Sequence, residues 1–295
     1  ERARMTSVSH STADVLSIRR LGIAGLGLMG GSVALAARAA WPAITIVGFD
    51  RPVAAAAARE RGCIDEAVSD PRALADADLV VLAVPLDAMA ETMAAIAEPV
   101  NARRTIVTDV GSIKRPVMQA AEHAGLGTFV GGHPMAGSER GGLGEARAEL
   151  FRGRPWLLVR GGAPPNAASR VERFAAALGG DPHWMEAAAH DRAVAYVSHL
   201  PQVLAVALMN AADTCIGEDR LAAGGRAFDE MTRLASSPPD MWEQILGANA
   251  EFVAEALAEF AARLPRRGDL ENVEWVRRAF DAASSARARG PASST

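Results

Sequence analysis

The chain has 295 residues, 49% hydrophobic and 22% charged, with a formal net charge of −4. This composition excludes a fibrous or disordered chain, and the length suits two domains. The mild acidity gives no electrostatic footprint for nucleic acid. No apolar run approaches the ~20 residues of a bilayer span and no signal peptide is evident, so a cytoplasmic protein acting on a small molecule is expected, with no membrane partner. Cys63 and Cys215 are too few and too scattered for a disulfide framework or a zinc site, and no metal is expected. Of 31 basic residues only Lys114 is a lysine, and it falls in a loop that matters below.

Residues 1–17 are polar and aperiodic and read as a frayed lead-in; 288–295 read as a similar tail. Between them, residues 18–183 alternate short apolar runs with helical stretches. Leu21–Gly25 is predicted as a strand, followed by a glycine-rich turn and a helix over Leu28–Ala39. Ile44–Asp50 is a second strand, with an alanine-rich helix near Val53–Arg61. Leu79–Pro85 and Thr105–Asp109 are further buried strands, each followed by helical sequence. Phe129–Gly131 leads into His133, Trp156–Val159 adds a later strand, and a helix lies near Ala167–Leu178. Strands spaced by helices imply a Rossmann-type doubly wound parallel sheet, an α/β fold.

After about Asp181 the strand signals stop, and 184–287 read as an all-α substrate and dimerisation domain. Glu186–Ala212 carries apolar residues at helical spacing and should kink at Pro201. Met241–Leu264 and Glu271–Ala283 complete the helical half. Apolar stripes on more than one face of these helices predict a homodimer formed through this domain.

The turn after the first strand reads Gly25-Leu26-Gly27-Leu28-Met29-Gly30. The three glycines suit a tight turn, close approach of a pyrophosphate and close packing of helix on strand. Asp50, twenty residues beyond Gly30 at the end of the next strand, is placed to accept hydrogen bonds from ribose hydroxyls. It would repel a 2′-phosphate, so the expected cofactor is NAD rather than NADP; Arg51 beside it weakens that preference slightly, because arginine can stack on adenine or reach a phosphate. Val84 and Pro85, at the end of another parallel strand, should wall the pocket. Ligands in such sheets bind outside the carboxyl ends of the strands, so Pro85, Asp109–Ser112 and His133 should border one crevice.

Two strand-end loops, Asp109–Lys114 and Gly131–Glu139, carry the chemistry. Dehydrogenating an alcohol needs a group that takes the hydroxyl proton while hydride leaves, and histidine titrates in the right range. His133, between Gly132 and Pro134, is the best placed. Ser112 could orient the hydroxyl or the imidazole; Lys114 could attract an anionic substrate or start the following helix. His10, His123 and His183 receive no role.

The stretches GLGLMGGS (25–32), DVGSIK (109–114), GGHPMAGSE (131–139), SHLPQ (198–202) and TRLASSPPDMW (232–242) resemble the prephenate/arogenate dehydrogenase family, in its order and at its spacing, from about Ile18 to Ala283. The resemblance implies NAD-linked oxidative decarboxylation of prephenate or arogenate. It implies that His133 accepts the ring-hydroxyl proton with help from Ser112, that Arg233 pairs with a substrate carboxylate, and that His199 shapes the pocket and its entrance. Glu139 would belong to a polar gate near Arg233, and Trp242 would lie at the pocket edge or in the helical core. A guanidinium fork matched to a carboxylate supports the role given to Arg233. Two alternatives remain open at this point: a 3-hydroxy acid dehydrogenase, although such enzymes use a lysine on a helix of the second domain and this chain has none there, and an NAD-binding sensor without turnover.

Overall fold

The computed structural model describes residues 18–103, 105–138 and 140–289. The expected lead-in, all but the first two residues of the expected tail, and Glu139 lie outside them.

The strands are β1 (Arg20–Ala24), β2 (Thr45–Phe49), β3 (Glu66–Val68), β4 (Leu79–Leu82), β5 (Ile106–Asp109), β6 (Phe129–Pro134), β7 (Pro155–Val159) and β8 (Asp181–Trp184). They form one sheet in the order β3-β2-β1-β4-β5-β6-β7-β8. All neighbouring pairs are parallel except β6–β7. The chain reverses there because 3₁₀ turns at Leu143–Glu145 and Ala148–Phe151, rather than a crossover helix, join those two strands. Helices α1 (Leu28–Ala40), α2 (Pro52–Glu60), α3 (Leu86–Arg103), α4 (Arg115–His123) and α5 (Pro165–Ala177) belong to this half.

Strand β4 explains why the sheet is covered on both faces. All four of its side chains are fully buried. Leu79 and Val81 join the core that holds Val33 and Ala34 of α1 and Phe174 of α5. Val80 and Leu82 join the opposite core, with Met93 and Ile96 of α3 and Val117 of α4. A period of two, apolar at every position, can be satisfied only by helices on both sides.

Two strands escaped the sequence pattern. β3 has three mostly exposed residues and no apolar run. β8 carries Pro182 and His183 at the edge beside β7, where a missing N–H costs no ladder bond. His183, expected in a linker, therefore lies on a strand, with Nε2 2.9 Å from Asp181 Oδ2.

The remaining residues are helical: α6 (Ala187–Val194), α7 (Leu200–Ile216), α8 (Glu218–Leu221), α9 (Arg226–Thr232), α10 (Pro239–Ala248), α11 (Ala250–Ala261), α12 (Arg267–Leu270) and α13 (Val273–Arg289). The kink expected at Pro201 takes the form of a π-helical turn over Ala195–His199 that joins α6 to α7. Such turns widen a helix locally and occur often at functional positions. The long helix expected over Met241–Leu264 breaks at Asn249, whose side chain turns inward to donate to the Asp191 carbonyl (2.8 Å). The helix expected to stop at Ala283 runs on to Arg289.

From Ala187 to Ile216 the chain forms one continuous helical stretch of 30 residues, long and apolar enough by length and composition to cross a membrane. His190, Asp191, Arg192 and His199 interrupt its apolar run, so the sequence reads there as a helix but not as a span. Of these, His190 and Asp191 dock it on the sheet half, at His133 and at the start of α4. Asp191 accepts from the backbone N–H groups of Lys114 (2.7 Å) and Arg115 (2.8 Å) at the start of α4. Arg115 reaches across to Glu251 (3.0 Å) and lies over the Phe252 ring, 4.3 Å from its centroid.

Lys114 and Asp109 form a fully buried ion pair behind β5. Removing one partner of such a pair leaves a charge stranded in the interior. Lys114→Met should therefore destabilise the fold by about 3–5 kcal/mol, read from the midpoint of urea unfolding.

Candidate active site

The crevice begins at the glycine turn between β1 and α1. Gly25 has φ +91°, and a methyl group there would lie 2.4 Å from the Ala83 carbonyl oxygen. At Gly30 a methyl would sit 1.8 Å from the Gly25 oxygen, so the helix can approach the strand only without one. Gly27 differs: a Cβ there meets nothing within 4 Å. The space beside Gly27, at the N-terminus of a helix opened by Leu28 and Met29, is what a pyrophosphate requires.

Asp50 lies at the end of β2, half-buried. Its Oδ2 accepts from Leu26 N–H (2.7 Å) and its Oδ1 from Arg51 N–H (2.6 Å). The carboxylate thus ties the glycine turn to the second strand, a task the sequence did not disclose. Each oxygen keeps a further lone pair for a ribose hydroxyl, so the residues fit NAD. The Arg51 side chain is 91% exposed. Val84 is half-buried just past β4, and Pro85 stands exposed before α3.

His133 ends up beside a polar chain that runs inward from it. Its Nδ1 is 2.9 Å from Nε2 of His190, and His190 Nδ1 is 2.7 Å from Asp191 Oδ1. His190 and Asp191 have no exposed surface, whereas His133 retains 8%, so His133 is the end of the chain that meets the crevice. Asp109 organises the other side. Its Oδ1 accepts from Gly132 N–H (2.9 Å), fixing the backbone just before His133, and its Oδ2 accepts from Gly111 N–H (2.8 Å) and from the Lys114 ammonium. Burial holds the His133 pKa well below the usual histidine value, reinforced by His190, Lys114 and His199. His190 is also lowered by burial, against the pull of Asp191. Neutral imidazole is the state a base requires.

Several expected residues have other surroundings. Lys114 does not face a pocket: its ammonium is buried against Asp109, and desolvation lowers its pKa. It stands at the N-cap of α4, but its side chain makes no capping hydrogen bond there. Ser112 is half-buried on the same loop, but among the described residues the Nδ1 partner of His133 is His190, not Ser112. His199 is buried on the π turn, its Nδ1 3.2 Å from Asn249 Nδ2. It meets the Trp242 ring edge-on at 5.9 Å, and burial pushes its pKa down to about 4. His199 thus touches Trp242, which lines the cavity beside Arg233.

Trp242 and Arg233 line a cavity of about 670 Å³ that also includes Ser138, Arg140, Arg147 and Gln202. Arg233 opens the 3₁₀ turn Arg233–Ser236, which Gln202 holds by donating from Nε2 to the Leu234 carbonyl (2.8 Å). The cavity thus gathers three arginines against one acid, Glu145, a net positive setting for a ligand that carries carboxylates.

His190, Asp191 and Asn249 were missed by sequence reasoning, and Asp109 and Gln202 lay in stretches it singled out but received no role of their own. One signal was available. In the alanine-rich stretch around 187–194, an adjacent His–Asp pair on a buried helix is costly unless its polar atoms have partners.

Comparison with known proteins completes the description. The family model "Prephenate dehydrogenase, nucleotide-binding domain" matches residues 33–181, and "Prephenate dehydrogenase, dimerization domain" matches 186–270. A prephenate dehydrogenase of Lactococcus lactis subsp. cremoris is 32% identical over 254 residues, covering 84% of this chain and 70% of the relative. A cyclohexadienyl dehydrogenase of Zymomonas mobilis is 32% identical over 255 residues, covering 84% and 87%. The crystal structure of prephenate dehydrogenase from A. aeolicus in complex with hydroxyphenyl propionate and NAD+ superposes with a TM-score of 0.85 at 28% identity, covering 94% of this chain and all of that one.

The glycine turn gives a direct test of the cofactor site. Gly27→Ala should fold with an unchanged thermal midpoint yet weaken NAD binding at least about tenfold, measured by calorimetric titration. Gly30→Ala should destabilise the protein by more than about 3 kcal/mol.

Proposed function

Because the chain belongs to the prephenate dehydrogenase family, we propose that it carries out the NAD-dependent oxidative decarboxylation of prephenate, arogenate or both, a step of tyrosine biosynthesis. The observation that carries the assignment of its base is the placement of His133. A glycine backbone pinned by Asp109 presents this imidazole at the carboxyl end of β6, neutral and with one nitrogen already engaged.

When bound, NAD accepts the hydride from the ring carbinol carbon. His133 takes the hydroxyl proton at Nε2, since Nδ1 is committed to His190. The ring carboxylate then leaves as carbon dioxide, and the electron pair of the broken carbon–carbon bond completes the aromatic ring. Arg233 anchors a substrate carboxylate in the cavity it shares with Arg140 and Arg147. Ser112, on the loop after β5, orients the substrate hydroxyl. Residues 18–183 form the NAD-binding unit and 184–287 the substrate and dimerisation unit.

The same reading makes the protein a cytoplasmic homodimer. Support comes from the helical half, whose described core is thin: Ala195, Leu200 and Ala256, flanked by Leu204, Phe252, Val253 and Phe260. Large apolar side chains remain exposed on its helices, among them Val206, Leu208, Leu257 and Phe280. Sedimentation equilibrium should return twice the chain mass.

The decisive measurement follows NADH absorbance with prephenate, with arogenate and with 3-hydroxyisobutyrate as the rival substrate; turnover of the last alone refutes the proposal. His133→Asn should lower kcat by about 10²–10⁴. Arg233→Ala should act mainly on KM, and a dominant loss of kcat would contradict a binding role. Because His133 is held below the usual histidine range, it stays unprotonated as pH falls through that range. The acid limb of kcat/KM should therefore lie below the usual histidine value, and a limb above it would contradict a neutral base.

A further inference from the structure

We infer that His190 and Asp191 are positioning residues for the reaction: they set the tautomer of His133, so that its Nε2 carries the lone pair that receives the substrate proton. The inference rests on the assignment of His133 as the base.

The argument follows from donor and acceptor roles along a buried chain. An ionised carboxylate only accepts. Asp191 Oδ1, 2.7 Å from His190 Nδ1, therefore requires the His190 proton to sit on Nδ1. Neutral His190 then has its lone pair on Nε2, which can only accept from His133 Nδ1 at 2.9 Å. His133 is left as the Nδ1–H tautomer, with Nε2 bare. The reverse arrangement, a proton on His190 Nε2, would force His133 to carry its proton on Nε2 and remove the base.

Asp191 is itself held in register by Lys114 N–H on Oδ1 and Arg115 N–H on Oδ2, and its carbonyl by Asn249. The charged groups around the two imidazoles are Asp109 on β5, Lys114 at the head of α4, Asp191 on α6 and, when protonated, His199 on the π turn. Asp109 and Lys114 are paired with each other. Arg115 Nε stands 3.6 Å from Asp191 Oδ2, so the Asp191 charge is divided between that guanidinium and the two histidines. When a proton enters at His133 Nε2, the Nδ1 proton can pass to His190 Nε2. The positive charge then comes to rest beside the Asp191 carboxylate, with no atom gained or lost within the chain.

Asp191→Asn tests this most directly. The amide oxygen that can keep the Lys114 N–H bond is a weaker acceptor than the carboxylate, so the preference that holds the His190 proton on Nδ1 falls. In ¹⁵N-histidine-labelled protein, two-bond nitrogen–proton spectra should show His133 as the Nδ1–H form in the wild type and with a raised share of the Nε2–H form in Asp191→Asn. His190→Phe, which keeps a ring of similar shape but no nitrogen, should lower kcat by about 10²–10⁴ and leave KM within about threefold. A merely structural role for the pair would not move the tautomer. A wild-type His133 in the Nε2–H form overturns the inference, as does a His190→Phe enzyme with kcat within threefold of wild type. Should either variant fail to fold, the wild-type spectrum decides alone. Because that spectrum needs no turnover, a protein inactive on both substrates would refute the proposed activity while leaving the tautomer answer intact.

Discussion

One carboxylate, that of Asp191, closes the seam between the sheet and the helices. It has no exposed surface, so its charge must be met inside the protein. The structure supplies three hydrogen-bond donors, the backbone N–H groups of Lys114 and Arg115 and the imidazole of His190, and the Arg115 guanidinium 3.6 Å from Oδ2. Two of them are free N–H groups at the first turn of α4, where a negative charge is also favoured by the helix dipole. Burial raises the pKa of Asp191, but these contacts outweigh it and hold the group below the usual carboxylate value. The carboxylate that docks the helical half beside the sheet is thus the same one that bonds the His190 imidazole.

The single lysine of the chain becomes intelligible in this setting. Lys114 is fully buried against Asp109, which also takes the N–H groups of Gly111 and Gly132. Arginine would bring five N–H donors in a rigid fork into a space with one carboxylate to receive them, whereas lysine brings a compact ammonium on a slender stem. In a composition that otherwise favours arginine, this position resists the exchange. The consequence reaches the site: Asp109 uses its second oxygen to fix Gly132, and a side chain at 132 would strike the Asp109 carbonyl at 2.5 Å. The backbone that carries His133 is therefore held by a charge pair with no exposed side-chain surface.

Much of the nucleotide-binding half was legible because its signals are local. The glycine turn, the acid at the end of β2 and the apolar runs of β1, β4 and β5 each announce themselves within a few residues. His133 was legible for the same reason, standing between Gly132 and Pro134, although the loop expected there is the carboxyl end of β6. What escaped depends on distance along the chain. His190 and Asp191 meet residues 57 and 77 positions away, and Asn249 meets Asp191 across 58. Read as a string, a His–Asp pair among alanines is a polar interruption of a helix, and only the fold turns it into an inward-facing pair. β8 was hidden for a different reason: an edge strand beside β7 can carry proline and histidine without the alternation that marks a strand.

The stretch Ala187–Ile216 brings these points together. By length and composition it would suit a bilayer, yet its first half carries His190, Asp191 and His199, which are satisfied only by partners on β6, α4 and around Asn249. In lipid the same groups would lose those partners and face a solvent that offers none. The apolar character that remains lies further along, where Val206, Leu208 and Ile216 of α7 stay exposed. The two ends of one helical stretch thus have different demands, polar burial against the sheet and apolar cover from elsewhere. The π turn at Ala195–His199 separates them and lets His199 face Asn249 while α7 continues outward. A regular α-helix through the same residues would change the rotation of one end relative to the other, so the irregularity lets one helix bury polar groups against the sheet half and carry an exposed apolar face beyond them.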